Sequence, residues 1–370
     1  MSAGVVLLTG SFPPRLCGVG DYTFHLARHL TAQGVPVAVW TRRGETEPRP
    51  GVFPVIAGWD GAGVRDLVRR LRVARPAVVH LQYERGLFEG STVVTTLLPE
   101  LLRGIGVPLV TTFHSLDGPR SWGRAHRVAL LPLLIQSDSI VVCSSRQEKG
   151  LCRIPGIGRK VRRIAVGTGI EPVVGERQRK SDGPIRLVYF GFVWRRRGIE
   201  TLLRTVAALP NGMATLTIVG GWRGDPDYPQ ELAQLAERLR VENCVSFTGD
   251  LSAAEVSRHL WEADAALLPF PTGASTGRTT LMAAFAHGLP VVTTHDRANL
   301  PAEFRDGENL LLAPVGDEAA FLAAVRRVVG DPALRVRLGA GARCLADIFA
   351  WSRIARQTLT LPAYRGVARW

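Results

Sequence analysis

Lysine is nearly missing from this chain: of 46 Lys and Arg residues, only Lys149, Lys160 and Lys180 are lysine. Cysteine is sparse as well, with Cys17, Cys143, Cys152, Cys244 and Cys344 scattered and no C-x-x-C among them. An odd, dispersed set argues against a disulfide framework or a structural zinc site and fits a reducing compartment. No apolar run reaches the roughly 18 residues of a membrane span. The longest leucine-rich stretch, Val128 to Ile135, is broken by Pro132. The opening Met1-Ser-Ala-Gly4 has no basic n-region, and Val5 to Leu8 is short for a secretory h-region. A cytoplasmic protein is therefore expected. The Walker A and G-x-G-x-x-G patterns are missing too, so neither a P-loop nor a dinucleotide fingerprint is supported.

What is present is a two-domain length with an uneven charge. The chain has 370 residues, 46% hydrophobic and 21% charged, with a formal net charge of +14. That length buries about two cores, and the composition is that of a globular protein. Residues 1–180 carry 25 basic against 13 acidic residues, while 181–370 carry 21 against 19. The positive field belongs to the first half. Such a field suits an anionic membrane surface or acidic substrates, with a solubilising surface as the plainer alternative. No nucleic-acid module accompanies it, so nucleic acid is not an expected partner.

Two stretches open alike. Val5-Val-Leu-Leu-Thr9 runs into a Gly/Pro-rich loop, Gly10 to Gly20, and a helical segment near Asp21. Ile185-Arg-Leu-Val-Tyr-Phe190 runs into Gly191, a basic loop and a helix from about Gly198. Between them, 172–184 is polar and Gly-rich and reads as a linker. Near-continuous apolar runs recur at Val35–Trp40, Ala77–Leu81, Pro108–Phe113, Ser139–Cys143 and Val161–Val166. They recur again at Ala214–Val219, Cys244–Thr248, Ala265–Leu268, Pro290–Thr294 and Asn309–Leu312. Helix-spaced sets such as Leu232, Leu235 and Leu239 lie between them. These runs suit parallel strands buried on both faces. The expected fold class is α/β: two doubly wound Rossmann-like domains, 1–178 and 185–350, facing across a cleft. Ligands in such sheets sit beyond the carboxyl ends of the strands.

The loops at those ends carry the chemistry. Gly18 and Gly20 let backbone N–H groups approach a ligand, with Asp21 entering the helix. His80-Leu-Gln82 and Thr112-Phe-His114 end predicted strands, where a neutral imidazole exchanges hydrogen bonds with a hydroxyl; a structural histidine is the plainer alternative. Trp194-Arg195-Arg196-Arg197-Gly198 sets three guanidinium forks between a strand and a helix, a shape suited to a diphosphate. Ser275, Arg278, Thr279 and Thr280 precede another helix, whose first N–H groups face an anion. Asp225-Pro-Asp227 spells a D-x-D metal pattern, and His25 and His29 share a helix face. Neither has an evident third ligand, so no metal and no cofactor is expected.

Taken in order, these segments resemble GT-B glycosyltransferases of the large family-four retaining class. Ser11-Phe-Pro-Pro and Gly18-Val-Gly-Asp-Tyr22 resemble its N-terminal Gly-rich loop, with Cys17 where a first glycine is usual. Val78-Val-His80-Leu-Gln82-Tyr83 and Thr112-Phe-His114 resemble its strand ends, and Tyr189-Phe-Gly191 through Arg197-Gly198 its donor-domain opening. Phe247-Thr-Gly249, Gly288-Leu-Pro-Val-Val292 and Pro301 to Asn309 follow in register. The resemblance implies transfer of a sugar from a nucleotide diphosphate sugar to a hydroxyl-bearing acceptor, with retention and usually without a metal. It implies an acceptor side in the first domain, at Asp21, His80 and Gln82, and a donor side in the second. The diphosphate would be held around Gly18 and Gly20 and by Arg197, with Gly191, Arg195 and Arg196 beside it. Thr279 and Thr280 would give it backbone N–H groups, and His114 would lie near the reacting carbon. Residues 351–370 would cross back to the first domain.

One departure stands out. The family's two glutamates, eight residues apart, fall at Ser275 and Ala283 when counted back from Gly288. Its lysine is Arg197, and the arginine three residues earlier is Trp194. One expectation is a donor held in a variant way, with Arg278 added. The other is a non-catalytic homologue that keeps the fold as a binding or scaffolding protein.

Overall fold

The computed structural model describes residues 4–116, 123–173 and 183–367. It divides into two compact units, Met1–Gly167 with Ala350–Trp370, and Thr168–Phe349. Most of the stretch read as a linker, 174–182, lies outside the described residues.

The first unit runs β1 (Val5–Thr9), α1 (Gly18–Thr31), β2 (Val37–Arg42), β3 (Val52–Ile56), α2 (Gly61–Ala74), β4 (Val78–Tyr83), α3 (Val93–Gly104), β5 (Leu109–Phe113), α4 (Arg124–Gln136), β6 (Ser139–Val142), α5 (Ser145–Cys152) and β7 (Val161–Arg163). The strands form one parallel sheet ordered β3-β2-β1-β4-β5-β6-β7. Val5 to Leu8 are wholly buried, as a central strand covered on both faces requires. Helix α2 shows why the local sequence folds this way. Asp60 caps it by accepting from the Gly63 N–H at 2.7 Å, and Val64, Leu67, Val68 and Leu71 face the core. The order reverses at β1, so β1 and β4 flank the switch point where such sheets bind ligands. Register sets Thr9 beside Gln82, and Gln82 beside Thr112, at that carboxyl edge.

The second unit runs β8 (Ile185–Phe190), α6 (Ile199–Ala207), β9 (Ala214–Val219), α7 (Tyr228–Leu239), β10 (Val245–Phe247), α8 (Ala253–Glu262), β11 (Ala265–Leu268), α9 (Thr279–Ala286), β12 (Val291–His295), β13 (Leu311–Pro314), α10 (Glu318–Gly330) and α11 (Pro332–Ile348). Its parallel sheet is ordered β10-β9-β8-β11-β12-β13, with β8 and β11 at the switch point.

The closing helix α12 (Trp351–Leu359) belongs to the first unit. Trp351 stacks on His25 at 5.3 Å and meets Tyr22 edge-on at 5.1 Å. Gln33 Nε2 donates to the Ser352 carbonyl at 2.9 Å. The His25 and His29 rings both pack against Trp351, which accounts for their shared helix face. Among the described residues, no helix is long and apolar enough to cross a membrane.

Candidate functional site

In the second unit, the loops after β8 and β11 bring a basic cluster to the switch point. Strand β8 is followed by Gly191, at φ 149°, where a Cβ would stand 3.0 Å from the Tyr189 hydroxyl and 3.5 Å from Thr280 Cγ2. Gly191 and Thr280 are thus neighbours although 89 positions separate them in sequence. Burial pushes the Tyr189 hydroxyl up to about 12, while the charges of Arg197 and Arg278 pull it down. A Cβ at Gly198, beside Arg197, would stand 2.5 Å from the Pro269 carbonyl oxygen, so the loops that bear Arg197 and Arg278 meet there. The Arg197 guanidinium lies over the Trp194 ring at 5.0 Å, and Arg278 over Phe270 at 4.7 Å with a bond to Thr272 Oγ1 at 2.5 Å. Arg278 is also the N-cap residue of α9, which has no side-chain cap. The first N–H groups of that helix, at Thr279 and Thr280, have no acceptor within the helix. Two guanidinium groups and an uncapped helix start make a strong anion site.

Three expected members behave differently. Arg195 is turned away into an ion-pair cluster, with Nε 2.7 Å from Asp225 and Nη2 2.6 Å from Glu231, and its head over the Tyr228 ring. It does not join Arg197, because two carboxylates compete for it; Arg195 in turn holds the Asp225 carboxyl below its usual range. Asp225 of the D-x-D pattern is thereby committed to Arg195. Arg196 takes a left-handed conformation, φ 65°, in the turn toward α6. Ser275 shapes its own loop: its carbonyl accepts from the Arg278 N–H at 3.3 Å and its hydroxyl from the Gly277 N–H at 3.4 Å. The run Gly273 to Gly277 spells G-x-S-x-G, but no histidine among the described residues bonds the Ser275 hydroxyl. Ala283 is fully buried in α9. The member that the sequence reading missed is Tyr189, which lies inside a recognised segment but reads as strand interior.

In the first unit, Gly18 opens α1 behind the N-cap Cys17, with nothing within 4 Å of where a Cβ would stand. Protein packing therefore does not require glycine there. Gly20 is different, since a Cβ would lie 3.2 Å from Phe12 Cα. Asp21 follows in the first turn, open to solvent. His114 Nε2 and Gln82 Oε1 are 3.0 Å apart, and the imidazole meets the Tyr22 ring at 4.7 Å. The Gln82 amide oxygen accepts, so Nε2 carries the proton and Nδ1 keeps its lone pair for a hydroxyl. The Gln82 amide nitrogen is buried with no partner in the structure.

His80 corrects its expected role. It is wholly buried, with Nε2 2.7 Å from Thr112 Oγ1 and Nδ1 2.7 Å from the Tyr364 hydroxyl. Both nitrogens are spent on tying the closing segment to the sheet, so it offers nothing to an acceptor.

Desolvation holds His80 and His114 down at about 3, so both are neutral near pH 7. Unfolded, each titrates near 6.5. The unfolded chain then binds more protons between those values, so stability is present above about pH 6.5 and is lost as pH falls toward 3. Each group contributes a slope of up to about 1.4 kcal/mol per pH unit. Melting midpoints followed from pH 7 to 4 are expected to fall more steeply for the wild type than for His114→Gln. Equal slopes would contradict the neutral assignment. A second expectation concerns Arg195. Because it is exposed and already paired, Arg195→Ala is expected to leave anion affinity at this site within about threefold of wild type. A loss as large as that of Arg197→Ala would show that Arg195 leaves its carboxylates to join the anion site.

Comparison with known proteins follows the same division. Residues 17–170 match the family model described as Glycosyltransferase Family 4, and residues 184–331 the one described as Glycosyl transferases group 1. A D-inositol 3-phosphate glycosyltransferase of Nocardioides sp. is 28% identical, covering 92% of this chain and 84% of its own. A glycogen synthase of Mycobacterium tuberculosis is also 28% identical, covering 98% and 95%. Among solved structures, sucrose-phosphate synthase from Thermosynechococcus elongatus superposes with a TM-score of 0.74 at 20% identity, covering 96% and 97%. Anabaena Alr3699/HepE, solved with UDP and glucose, gives 0.74 at 16% identity with the same coverage. With two doubly wound domains and family matches along both, this chain belongs to the group 1, family-four-like glycosyltransferases of GT-B fold.

Proposed function

We propose that the protein transfers a sugar, with retention, from a nucleotide diphosphate sugar to a hydroxyl-bearing acceptor such as a polysaccharide, glycolipid or metabolite. The carrying observation is the meeting of the β8–α6 loop, which bears Arg197, with the β11–α9 loop, which bears Arg278, where Gly191 faces Thr280 and Gly198 faces Pro269. Here the diphosphate is held before the bond breaks, and negative charge grows on it as the sugar leaves. Preorganised cations and N–H groups stabilise that charge more than the ground state, which is the main catalytic term. Glycine at 191 leaves the backbone open beside the phosphates. In the first domain, Gly18 and Gly20 offer backbone N–H groups, Asp21 and Gln82 serve the acceptor side, and His114 accepts a sugar hydroxyl at Nδ1. The acceptor proton goes to the departing phosphate, so no protein base is assigned. Metal independence is part of the proposal and is supported by the commitment of Asp225 to Arg195. The location is cytoplasmic, with the basic first half against an anionic membrane face.

A second reading, a non-catalytic homologue, is favoured by one observation: Ser275 and Ala283 stand where the family carries glutamates. Release of nucleoside diphosphate separates the two. UDP-glucose is the first donor to test, because the similar Anabaena protein was solved with it. Turnover with mixed acceptors, unchanged by a chelator, is expected. Donor binding without any release of diphosphate would favour the second reading, and loss of turnover on chelation would overturn metal independence.

A further inference from the structure

A groove outside the proposed chemistry lies in the first unit, between α2 and the β2–β3 end of the sheet. It encloses about 510 Å³ and is lined by Trp40, Phe53, Val55 and Val73, with Arg69 and Arg70 at its margin. Phe53 is 44% exposed and Val73 85%. Large apolar side chains left open beside an apolar groove mark an interaction surface. Asp66 also lines it, but the charge around it is mostly basic. Helix α2 carries Arg65, Arg69, Arg70 and Arg72 against a single acid, Asp66, and Arg75 follows at its C-cap. Asp66 is already paired, 2.8 Å from Arg70 and 3.2 Å from Arg69. Arg65, Arg69 and Arg72 recur at i, i+4 and i+7, so they form one row along the helix.

The surroundings narrow the occupant. Strand β3 is the edge of the sheet and contains Pro54, which has no N–H to give a neighbouring strand. Strand addition by another chain is thereby discouraged. A second copy would set the same arginine row against itself. A partner that is both flat and anionic, with apolar depth behind the charge, fits the row and the groove together.

We propose that this face seats on an anionic phospholipid bilayer. Phe53 and Val73 enter the boundary between headgroups and acyl chains, the groove takes acyl carbons, and Arg65, Arg69 and Arg72 meet lipid phosphates. This rests on the reading of the basic half as membrane-facing and assigns that contact to one surface. It makes a membrane-borne acceptor the natural substrate class.

Sedimentation of the full chain with vesicles tests it. Binding to phosphatidylcholine–phosphatidylglycerol vesicles is expected, weakened by salt, with little binding to phosphatidylcholine alone. Arg69→Glu with Arg72→Glu is expected to weaken binding by tenfold or more, since each surface cation contributes about fivefold. Phe53→Ser with Val73→Ser is expected to keep the low-salt attraction and lose the binding that survives high salt. Both variants should keep the wild-type thermal shift with donor nucleotide, which shows a folded chain and leaves the donor reading intact. If the wild type binds anionic vesicles and both variants bind equally well, the membrane reading stands and the groove assignment falls. If the wild type binds no vesicles, or binds heparin but not vesicles, both fall.

Discussion

Arg197→Ala is expected to lower kcat/KM for donor turnover by about 10²–10³, the usual loss when one preorganised charge partner of a transition state is removed. Arg197 lies over the Trp194 ring, 5.0 Å from its centroid, in the loop between β8 and α6. A charge fixed in advance stabilises the departing diphosphate without reorganising at the moment of reaction. Most of the loss is expected in kcat, because leaving-group charge is larger in the transition state than in the bound donor. Arg197→Lys should recover part of the rate, since lysine restores the charge but not the fork. Steady-state kinetics by release of nucleoside diphosphate reads both variants. A change in KM alone would assign Arg197 to ground-state binding.

Gly198→Val is expected to destabilise the protein by about 3 kcal/mol or more, seen as a large drop in melting midpoint. Gly198 is the N-cap of α6 at φ 79°, a conformation costly for any L side chain and most of all for a β-branched one. A Cβ there would stand 2.5 Å from the Pro269 carbonyl oxygen and 2.9 Å from Pro269 Cγ. Backbone strain and a backbone clash thus fall on one residue. The contact also explains how the basic loop is placed, because it seats the start of α6 on the end of β11, just before the loop that carries Arg278. Gly18→Ala is the matching control. Its Cβ meets nothing within 4 Å and its φ is not positive, so stability should stay within about 0.5 kcal/mol. A strong destabilisation at Gly18 would contradict this account of that loop.

Much of the fold was legible because parallel strands buried on both faces leave a plain mark. Val5–Thr9, Ile185–Phe190, Ala214–Val219 and Ala265–Leu268 are strands over the ranges read from the sequence. The strand that escaped was β3, Val52–Ile56, whose Pro54 is tolerated only because the strand sits at an edge. Side-chain partners were much harder to read. Three consecutive arginines look alike in sequence, yet Arg195 is claimed by Asp225 and Glu231, 30 and 36 positions away, and Arg197 is not. His80 and His114 both read as strand-end histidines in the sequence, but only the distant Tyr364 decides that His80 is structural. Local pattern carries the strands, whereas long-range pairing decides which polar groups remain for a ligand.

The most direct test of the central claim, that the second domain holds a nucleoside diphosphate sugar, is a thermal shift panel with UDP, GDP, ADP, CDP, dTDP and their sugar conjugates. A ligand that binds only the folded chain stabilises it by about 2.7 kcal/mol at a hundredfold excess over Kd, a shift of several degrees. One base is expected to raise the midpoint of the wild type, and Arg197→Ala is expected to lose most of that shift. No shift with any nucleotide, on wild-type protein that melts cooperatively, would contradict the donor site and leave the chain a non-catalytic member of its family.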